Sequence, residues 1–210
     1  MPSRAESIEW FSRVESSRVE FFLTRFGLWS APVSRGLSEV TTDIRHYIWP
    51  NNEYPHLALW DIPGGSTKNN RTATYFQDKA LYAFDCLLLL STTRFTALDF
   101  DIVQQACNCG TPIVLVLTKV DQEVKNELEE NPEKPSQQII NEILSEFKQN
   151  ARRKLSEVNS ALVNVPIYAV SAIKFRKELN NQPTYECSSL EMLALLQHCL
   201  NAAIYRRGPS

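Results

Sequence analysis

Three short polar signatures each follow an apolar stretch of the chain, and together they could recognise one ligand. They are Asp61 to Gly64 after residues 57–60, Thr118 to Asp121 after residues 113–117, and Ser171-Ala172 after residues 165–170. A carboxylate held at a strand end can accept both the N1–H and the N2 amino group of guanine, a donor pair that adenine does not offer. The residue types therefore suggest recognition of a guanine nucleotide.

Four residues of the second and third signatures have a predicted contact with the base. Asp121 is predicted to accept the two guanine donors, and the stem of Lys119 is predicted to lie along the base plane while its ammonium ties down neighbouring backbone. Thr118 opens the same signature. The backbone amides of Ser171 and Ala172 are predicted to bond the base carbonyl.

The first signature is predicted to face the phosphates. Asp61 could hold Mg²⁺ through a water, because Mg²⁺ keeps much of its hydration in proteins. Gly64 has no Cβ, so its backbone N–H could approach a γ-phosphate closely. Taken alone, an Asp-x-x-Gly after a strand is commonly only a turn. The occurrence of all three signatures in this order, each at a strand end, favours the nucleotide site.

The elements that must position these residues form an alternating pattern. Apolar strands alternate with amphipathic helices from residue 57 onward, which predicts an α/β sheet with parallel strands covered on both faces. Ligands of such sheets bind beyond the carboxyl ends of the strands. The predicted strands are 57–60, 84–90, 113–117 and 165–170, and the predicted helices are 71–82, 97–109, 139–162 and one that begins near Ser188 with a Ser188/Glu191 capping box.

The amino-terminal part and one internal stretch have weaker patterns. Apolar residues at roughly helical intervals predict one or two amphipathic helices over residues 5–26. Residues 39–49 and 56–60 are predicted to pair as a hairpin, and the acidic stretch 126–138 is predicted to be an exposed excursion. The predicted domain organisation is therefore a segment of amphipathic helices and a loop over residues 1–35, followed by the α/β domain over residues 36–205.

Composition excludes several classes of function. The chain has 22 Lys and Arg against 24 Asp and Glu, so it lacks the basic charge for nonspecific nucleic-acid binding, and no nucleic acid is predicted as a partner. Its five cysteines are odd in number and predict free thiols in a reducing compartment, and no secretory signal is visible, so the predicted location is the cytoplasm. A basic helix face over residues 148–154 leaves peripheral contact with an intracellular membrane open.

Several strings beyond the nucleotide signatures point to one family. The chain resembles the immunity-related (interferon-inducible) GTPases, the IRG-type G domains, over about residues 36–175. The strings that carry this resemblance are Glu39-Val40-Thr41, Leu59-Trp60-Asp61-Ile62-Pro63-Gly64, Tyr82-x-Phe84-Asp85, Ser91-Thr92-Thr93-Arg94-Phe95, Asp99-Phe100-Asp101 and Thr118-Lys119-Val120-Asp121.

The resemblance implies a fold, a reaction and further site residues. It implies a three-layer, P-loop NTPase-like domain that binds GTP or GDP with Mg²⁺. Thr41 would be the switch threonine that closes on Mg²⁺ and the γ-phosphate, so Thr41 and Asp61 form the implied metal site. Glu39 would act in catalysis across a nucleotide-bound dimer, which gives Glu39 and Thr41 as the implied catalytic residues and a homo- or heterodimer through the nucleotide face as an implied partner arrangement.

The chain also departs from the family pattern. The phosphate-binding loop Gly-x-x-x-x-Gly-Lys-Ser/Thr is missing, because no glycine of the chain is followed by lysine. Residues 13–17 lie where the loop-to-helix junction would fall, and Glu15 places negative charge there. The first strand of the fold and the family's carboxyl-terminal helical domain are likewise predicted to be missing.

The position after Gly64 is a further departure. Many small GTPases have a glutamine there that orients the attacking water, whereas this chain has Gly65. Hydrolysis is therefore expected to be slow or completed by a partner chain. Two alternatives remain open beside the GTPase reading: a nucleotide-free pseudo-GTPase that acts through protein contacts, and a truncated gene product of a full GTPase.

Overall fold

A computed structural model describes most of the α/β domain and one strand near the amino terminus. Six strands of this described part form a single sheet in the order β2-β3-β1-β4-β5-β6. Every pairing is parallel except that of β2 with β3, which is antiparallel. The described residues are 8–13, 44–48, 57–62, 74–92, 94–184 and 188–207. The strands are β1 (Ile8–Arg13), β2 (Arg45–Ile48), β3 (Leu57–Ile62), β4 (Cys86–Ser91), β5 (Ile113–Leu117) and β6 (Ile167–Ala169).

Helices connect the parallel strands and cover both faces of the sheet. The longest begins after Pro135 and carries a buried stripe, while most of its charged residues face solvent. The helices are α1 (Tyr75–Asp78), α2 (Ala97–Asn108), α3 (Val120–Glu130), α4 (Ser136–Val158), α5 (Ala172–Leu179) and α6 (Met192–Arg207), with 3₁₀ turns at Leu81–Ala83 and Ser160–Asn164. None of these described helices combines the length and apolar composition needed to cross a bilayer.

The core lies on both sides of the sheet because side chains of a strand alternate between its faces. Leu87 and Leu89 of β4 pack with residues of α2 and α4 on one face. Cys86 and Leu88 of the same strand pack with α5 and α6 on the other face. The predicted α/β sheet with buried parallel strands is confirmed.

The amino-terminal strand corrects the sequence-based prediction. Residues Ile8–Arg13 were expected in an amphipathic helix and form β1, which lies between β3 and β4. The roughly helical spacing over residues 5–26 is a local signal, whereas pairing with β3 on one side and β4 on the other satisfies the backbone of a central strand. The first strand, predicted to be missing, is therefore present, and the remainder of residues 5–26 lies outside the described residues.

The predicted excursion over residues 126–138 is also partly wrong. Helix α3 continues to Glu130, and turn residues occupy only the short stretch before α4. Val120 and Val124 are fully buried and Leu128 packs partly against them, which is an i, i+4 apolar stripe. That stripe, and not the acidic composition, determines the local structure.

Two further boundaries differ from the sequence-based prediction. The predicted helix over residues 71–82 is interrupted at Ala80, which has φ +49°, so α1 ends and a 3₁₀ turn follows. The predicted Ser188/Glu191 capping box does not form, because α6 begins at Met192 and the Glu191 carboxylate bonds elsewhere. Helix α5 had no counterpart in the prediction.

Candidate functional site

The carboxyl ends of β4, β5 and β6 lie side by side. Ser91 of β4 pairs with Leu117 of β5, and Leu117 pairs with Ala169 of β6. The residues that follow these strand ends are therefore neighbours although they are far apart in the chain. This geometry brings together the second and third sequence signatures.

Thr118 fastens the end of β5 to the end of β4. Its backbone N–H donates to the Ser91 carbonyl at 2.7 Å, and its hydroxyl donates to the same oxygen at 3.1 Å. The side chain is buried. Its hydroxyl proton is therefore committed to Ser91, and Thr118 fixes the start of the loop that carries the two residues after it.

Lys119 turns the chain from β5 into α3. It has φ +62° and ψ +27°, the left-handed conformation that costs a non-glycine residue about 1 kcal/mol. Its carbonyl accepts the N–H of Gln122 at 2.9 Å, which closes the first turn. The reversal places Asp121 in the first turn of α3, beside the end of β6.

Asp121 and Ser171 form the central contact of the site. The Ser171 hydroxyl donates to Oδ1 of Asp121 at 2.7 Å, across 50 positions of sequence. Ser171 is fully buried, and its hydroxyl oxygen also accepts the N–H of Lys174 at 3.3 Å as the amino-terminal cap of α5. A bond of this length to a carboxylate is among the stronger hydrogen bonds of proteins, so it fixes the plane of the Asp121 carboxyl group.

Asp121 is nevertheless not fully enclosed by the protein. The residue is only partly buried, and Ala172 directly follows Ser171 at the first turn of α5. The structure therefore brings together all five predicted base-site residues at one edge: Thr118, Lys119, Asp121, Ser171 and Ala172.

Asp61 lies further along the same edge of the sheet. It is fully buried near the end of β3, and its register partners are Ser12 of β1 and Arg45 of β2. Strands β1 and β4 separate it from β5 in the sheet. The predicted phosphate-side carboxylate and the predicted base-side carboxylate thus belong to one edge but to different strands.

The donor set at Asp61 can be compared with the needs of Mg²⁺. A carboxylate oxygen is the hard ligand that this ion takes, commonly one or two from protein with the rest from water and phosphate. Within the described ranges, no group of three His, Cys, Asp or Glu side chains could hold a metal ion by itself. The residues present fit an ion that would share its ligands with a nucleotide, and they do not form an all-protein metal cage.

The other predicted site residues lie outside the described residues. These are Glu39, Thr41 and Gly64, and also Gly65 at the position of the water-orienting glutamine. Their roles remain predictions.

Sequence reasoning did not identify two groups that hold the strand ends of the site in position. The Ser91 carbonyl, described above, receives both Thr118 donors. Glu191 bonds the backbone of β6, although the sequence pattern suggested a helix cap for it. The misleading signal was its spacing of three residues from Ser188, which is the spacing of a capping box.

The fold and the strand-end signatures define the class of the protein as a GTPase-type α/β domain. The solved structures to which the chain is similar include the LeoA bacterial dynamin GTPase from ETEC, at TM-score 0.58 and 12% identity over 96% of this chain and 36% of that one. Aquifex aeolicus Era bound to GDP·AlF4⁻ is similar at TM-score 0.54 and 13% identity, over 92% of this chain and 55% of that one. These similarities establish the fold.

The family follows from sequence. A model of the interferon-inducible GTPases (IIGP) matches residues 30–182, and the chain belongs to this family. Mouse interferon-inducible GTPase 1 is 32% identical over 120 residues, 55% of this chain and 29% of that protein. Mouse interferon-gamma-inducible GTPase 10 is 26% identical over 164 residues, 78% of this chain and 37% of that protein. The chain thus spans about a third of the length of these relatives, and β1 precedes the matched segment.

Proposed function

We propose that the chain binds a guanine nucleotide, GTP or GDP, with the base at the carboxyl ends of β5 and β6. The observation that carries this proposal is the 2.7 Å hydrogen bond from Ser171 to Asp121. It holds the carboxylate in one orientation before any ligand arrives, so little conformational freedom is lost on binding. Family membership and the GTPase fold support the same assignment.

The base would be read by hydrogen bonds to one carboxylate. Asp121 would accept the guanine N1–H and N2 amino group, and each hydrogen bond to a charged group contributes roughly 1.5–3 kcal/mol. The backbone N–H of Ala172 would donate a hydrogen bond to the base carbonyl, and the Lys119 stem would lie along the base plane. Adenine presents an acceptor at N1 and would be rejected, because it leaves the carboxylate without its donors.

Mg²⁺ would join the nucleotide on the phosphate side. Asp61 would hold it, with Thr41 as the second ligand that the family resemblance implies. The ion would neutralise phosphate charge. Glu39, by the same resemblance, would assist catalysis from one chain of a dimer to the other, and hydrolysis without such a partner would be slow because Gly65 cannot orient water.

A second candidate function is a pseudo-GTPase that acts through protein contacts. It is favoured by the residues that follow β1, where no glycine occurs before Gly27 and Glu15 comes two residues after the strand ends. Such a segment offers neither the flexible backbone nor the lysine that grips phosphates in GTPases. The two candidate functions differ in one measurable property: the first predicts that the chain binds guanine nucleotide at micromolar concentration, and the second predicts that it does not.

Isothermal titration of GDP and ADP tests the proposal. The wild-type chain is expected to bind GDP and to bind ADP far more weakly, and Asp121→Ala is expected to abolish the difference. Asp101→Ala, on the exposed side of α2, is the matched control and is expected to leave GDP binding unchanged. A folded wild-type chain that binds neither nucleotide would rule out the proposed function and favour the pseudo-GTPase.

A further inference from the structure

A short segment completes the outer edge of the sheet next to the base site. Residues Ser189–Glu191, here named the edge segment, run antiparallel to the end of β6 through a bridge between Val170 and Leu190. Leu190 has φ +60°, a conformation that non-glycine residues rarely adopt. Because β6 is the last strand in the sheet order, its outer backbone groups need partners from such a segment.

The edge segment bonds the backbone of β6 on both sides of that bridge. The N–H of Glu191 donates to the Ala169 carbonyl at 3.2 Å, and the N–H of Ser171 donates to the Ser189 carbonyl at 3.4 Å. Ser171 is the residue whose hydroxyl orients Asp121. The position of the edge segment therefore bears directly on the backbone of a base-site residue.

The carboxylate of Glu191 is what fastens the edge segment in place. Its Oε2 accepts the N–H of Ala169 at 2.9 Å, and its Oε1 pairs with Nζ of Lys148 on α4 at 2.5 Å. The two side chains are 31% and 29% exposed, so water reaches the ion pair only in part. The Glu191 side chain thus joins α4, the edge segment and β6. The residue of β6 that it contacts, Ala169, lies two positions before Ser171 in the chain.

A second carboxylate closes the arrangement from the other side. The N–H of Ser189 donates to Oε1 of Glu178 at 2.7 Å, and Ser189 is buried. Glu178 belongs to α5, the helix that Ser171 caps. The hydrogen bonds therefore run from Ser171 through the edge segment to α5 and back to Ser171.

We infer that Glu191 is a positioning residue for guanine recognition, which acts by holding the edge segment so that Ser171 fixes the orientation of Asp121. This role rests on the proposed function. Hydrogen-bond strength falls steeply with angle, so a small rotation of the Asp121 carboxyl group costs more for a base with two donors than for a base with one. Glu191 thereby affects the preference among purine bases, and not only the stability of the sheet edge.

The experiment compares GDP with inosine diphosphate, which lacks the 2-amino group. Both affinities are measured by isothermal titration for the wild-type chain, Glu191→Ala and Glu191→Gln. The Gln variant keeps an oxygen for the Ala169 N–H and loses only the charge that pairs with Lys148. The preference for GDP is expected to fall about threefold to tenfold in Glu191→Ala, which corresponds to partial loss of one charged hydrogen bond, and by less in Glu191→Gln.

A matched control separates this role from a general effect of removing an ion pair. Glu157→Ala breaks the exposed pair of Glu157 with Lys154 on the same helix α4, and it is expected to leave the preference for GDP unchanged. A purely structural role for Glu191 predicts that both nucleotides weaken equally, with the preference unchanged. That result in a folded Glu191 variant would overturn the positioning role alone, whereas a wild-type chain that binds no GDP would overturn the proposed function and this role with it.

Discussion

The predicted base side and the predicted phosphate side of one sheet edge differ sharply in how they are built. At the ends of β5 and β6, Asp121 and Ser171 are joined by a 2.7 Å hydrogen bond and fastened to neighbouring strands. At the end of β1, the sequence continues through Glu15 without a glycine, although β1 itself lies in the centre of the sheet. The strand that precedes the phosphate loop of a GTPase is in place, and the residues that form such a loop are not.

This difference implies that binding energy is divided between base contacts and phosphate contacts in another proportion than in a complete GTPase. Phosphate contacts commonly provide several charged hydrogen bonds, each contributing roughly 1.5–3 kcal/mol. Under the proposed function, most of the affinity would then come from the base.

Exchange of the base-reading carboxylate should reverse base preference. In Asp121→Asn the amide can donate to the C2 carbonyl of xanthine, so xanthosine diphosphate should replace GDP as the preferred ligand. The ratio of the two affinities is expected to change by about 100-fold or more, which is the loss of one or two charged hydrogen bonds. Isothermal titration with both nucleotides measures it. A variant that loses GDP and gains no xanthosine diphosphate, although folded, would show that Asp121 does not read the base.

Removal of the orienting hydroxyl should weaken the base side without abolishing it. Ser171→Ala leaves the Asp121 carboxyl group free to rotate and removes the cap of α5. GDP affinity is expected to fall about tenfold, and the free energy of unfolding is expected to fall by about 1 kcal/mol from the lost cap. Titration and urea denaturation measure the two effects. Equal GDP affinity in wild type and variant would mean that the hydrogen bond serves folding alone.

The number of phosphates should matter little. GMP, GDP and GTP are expected to bind within about tenfold of one another in the presence of Mg²⁺, because the segment after β1 lacks the P-loop residues. Competition against a fluorescent guanine nucleotide measures the series. An increase of about a thousandfold from GMP to GTP would contradict the proposed division and point to a phosphate grip supplied by residues other than a P-loop.

Neutralisation of the charge after β1 should produce the smallest change. Glu15→Gln removes a negative charge two residues after the end of β1 in sequence, where the family's phosphate loop would lead into its helix. GTP affinity is expected to rise about twofold to fivefold at low salt, and the gain should shrink at high salt because salt screens the repulsion between the two negative charges. Glu157→Gln, at an exposed position of α4, is the control. Unchanged GTP affinity in Glu15→Gln would place the phosphates away from this segment.

Much of the fold could be predicted because its signals are local. The apolar runs of β4 and β5 identified buried parallel strands, and Gly110 after α2 ended a helix as expected, with φ +66°. The predicted helix over residues 5–26 failed at β1 for a related reason. The apolar spacing over residues 5–26 is only roughly helical, and the neighbouring strands β3 and β4 decide the structure of residues 8–13.

The candidate site shows the same division between local and long-range information. The residue types of Thr118 to Asp121 and of Ser171 led to the prediction of a guanine site, and the structure places these residues together. The role of Glu191 could not be predicted, because its contacts with Ala169 and Lys148 join residues that are 22 and 43 positions away. The capping-box pattern predicted a local role for Glu191, and in the structure the Glu191 carboxylate bonds Ala169 instead.

Residue types and their spacing identify the apolar strands, the order of the three signatures and the family, because each of these is written locally in the chain. Folding places residues 8–13 in the centre of the sheet, joins Ser171 to Asp121, and brings Glu191, just before α6, to the edge of β6. The physical reason is that hydrogen-bond partners of strand edges and buried polar groups are supplied by distant parts of the chain, and chain folding alone brings them within bonding distance.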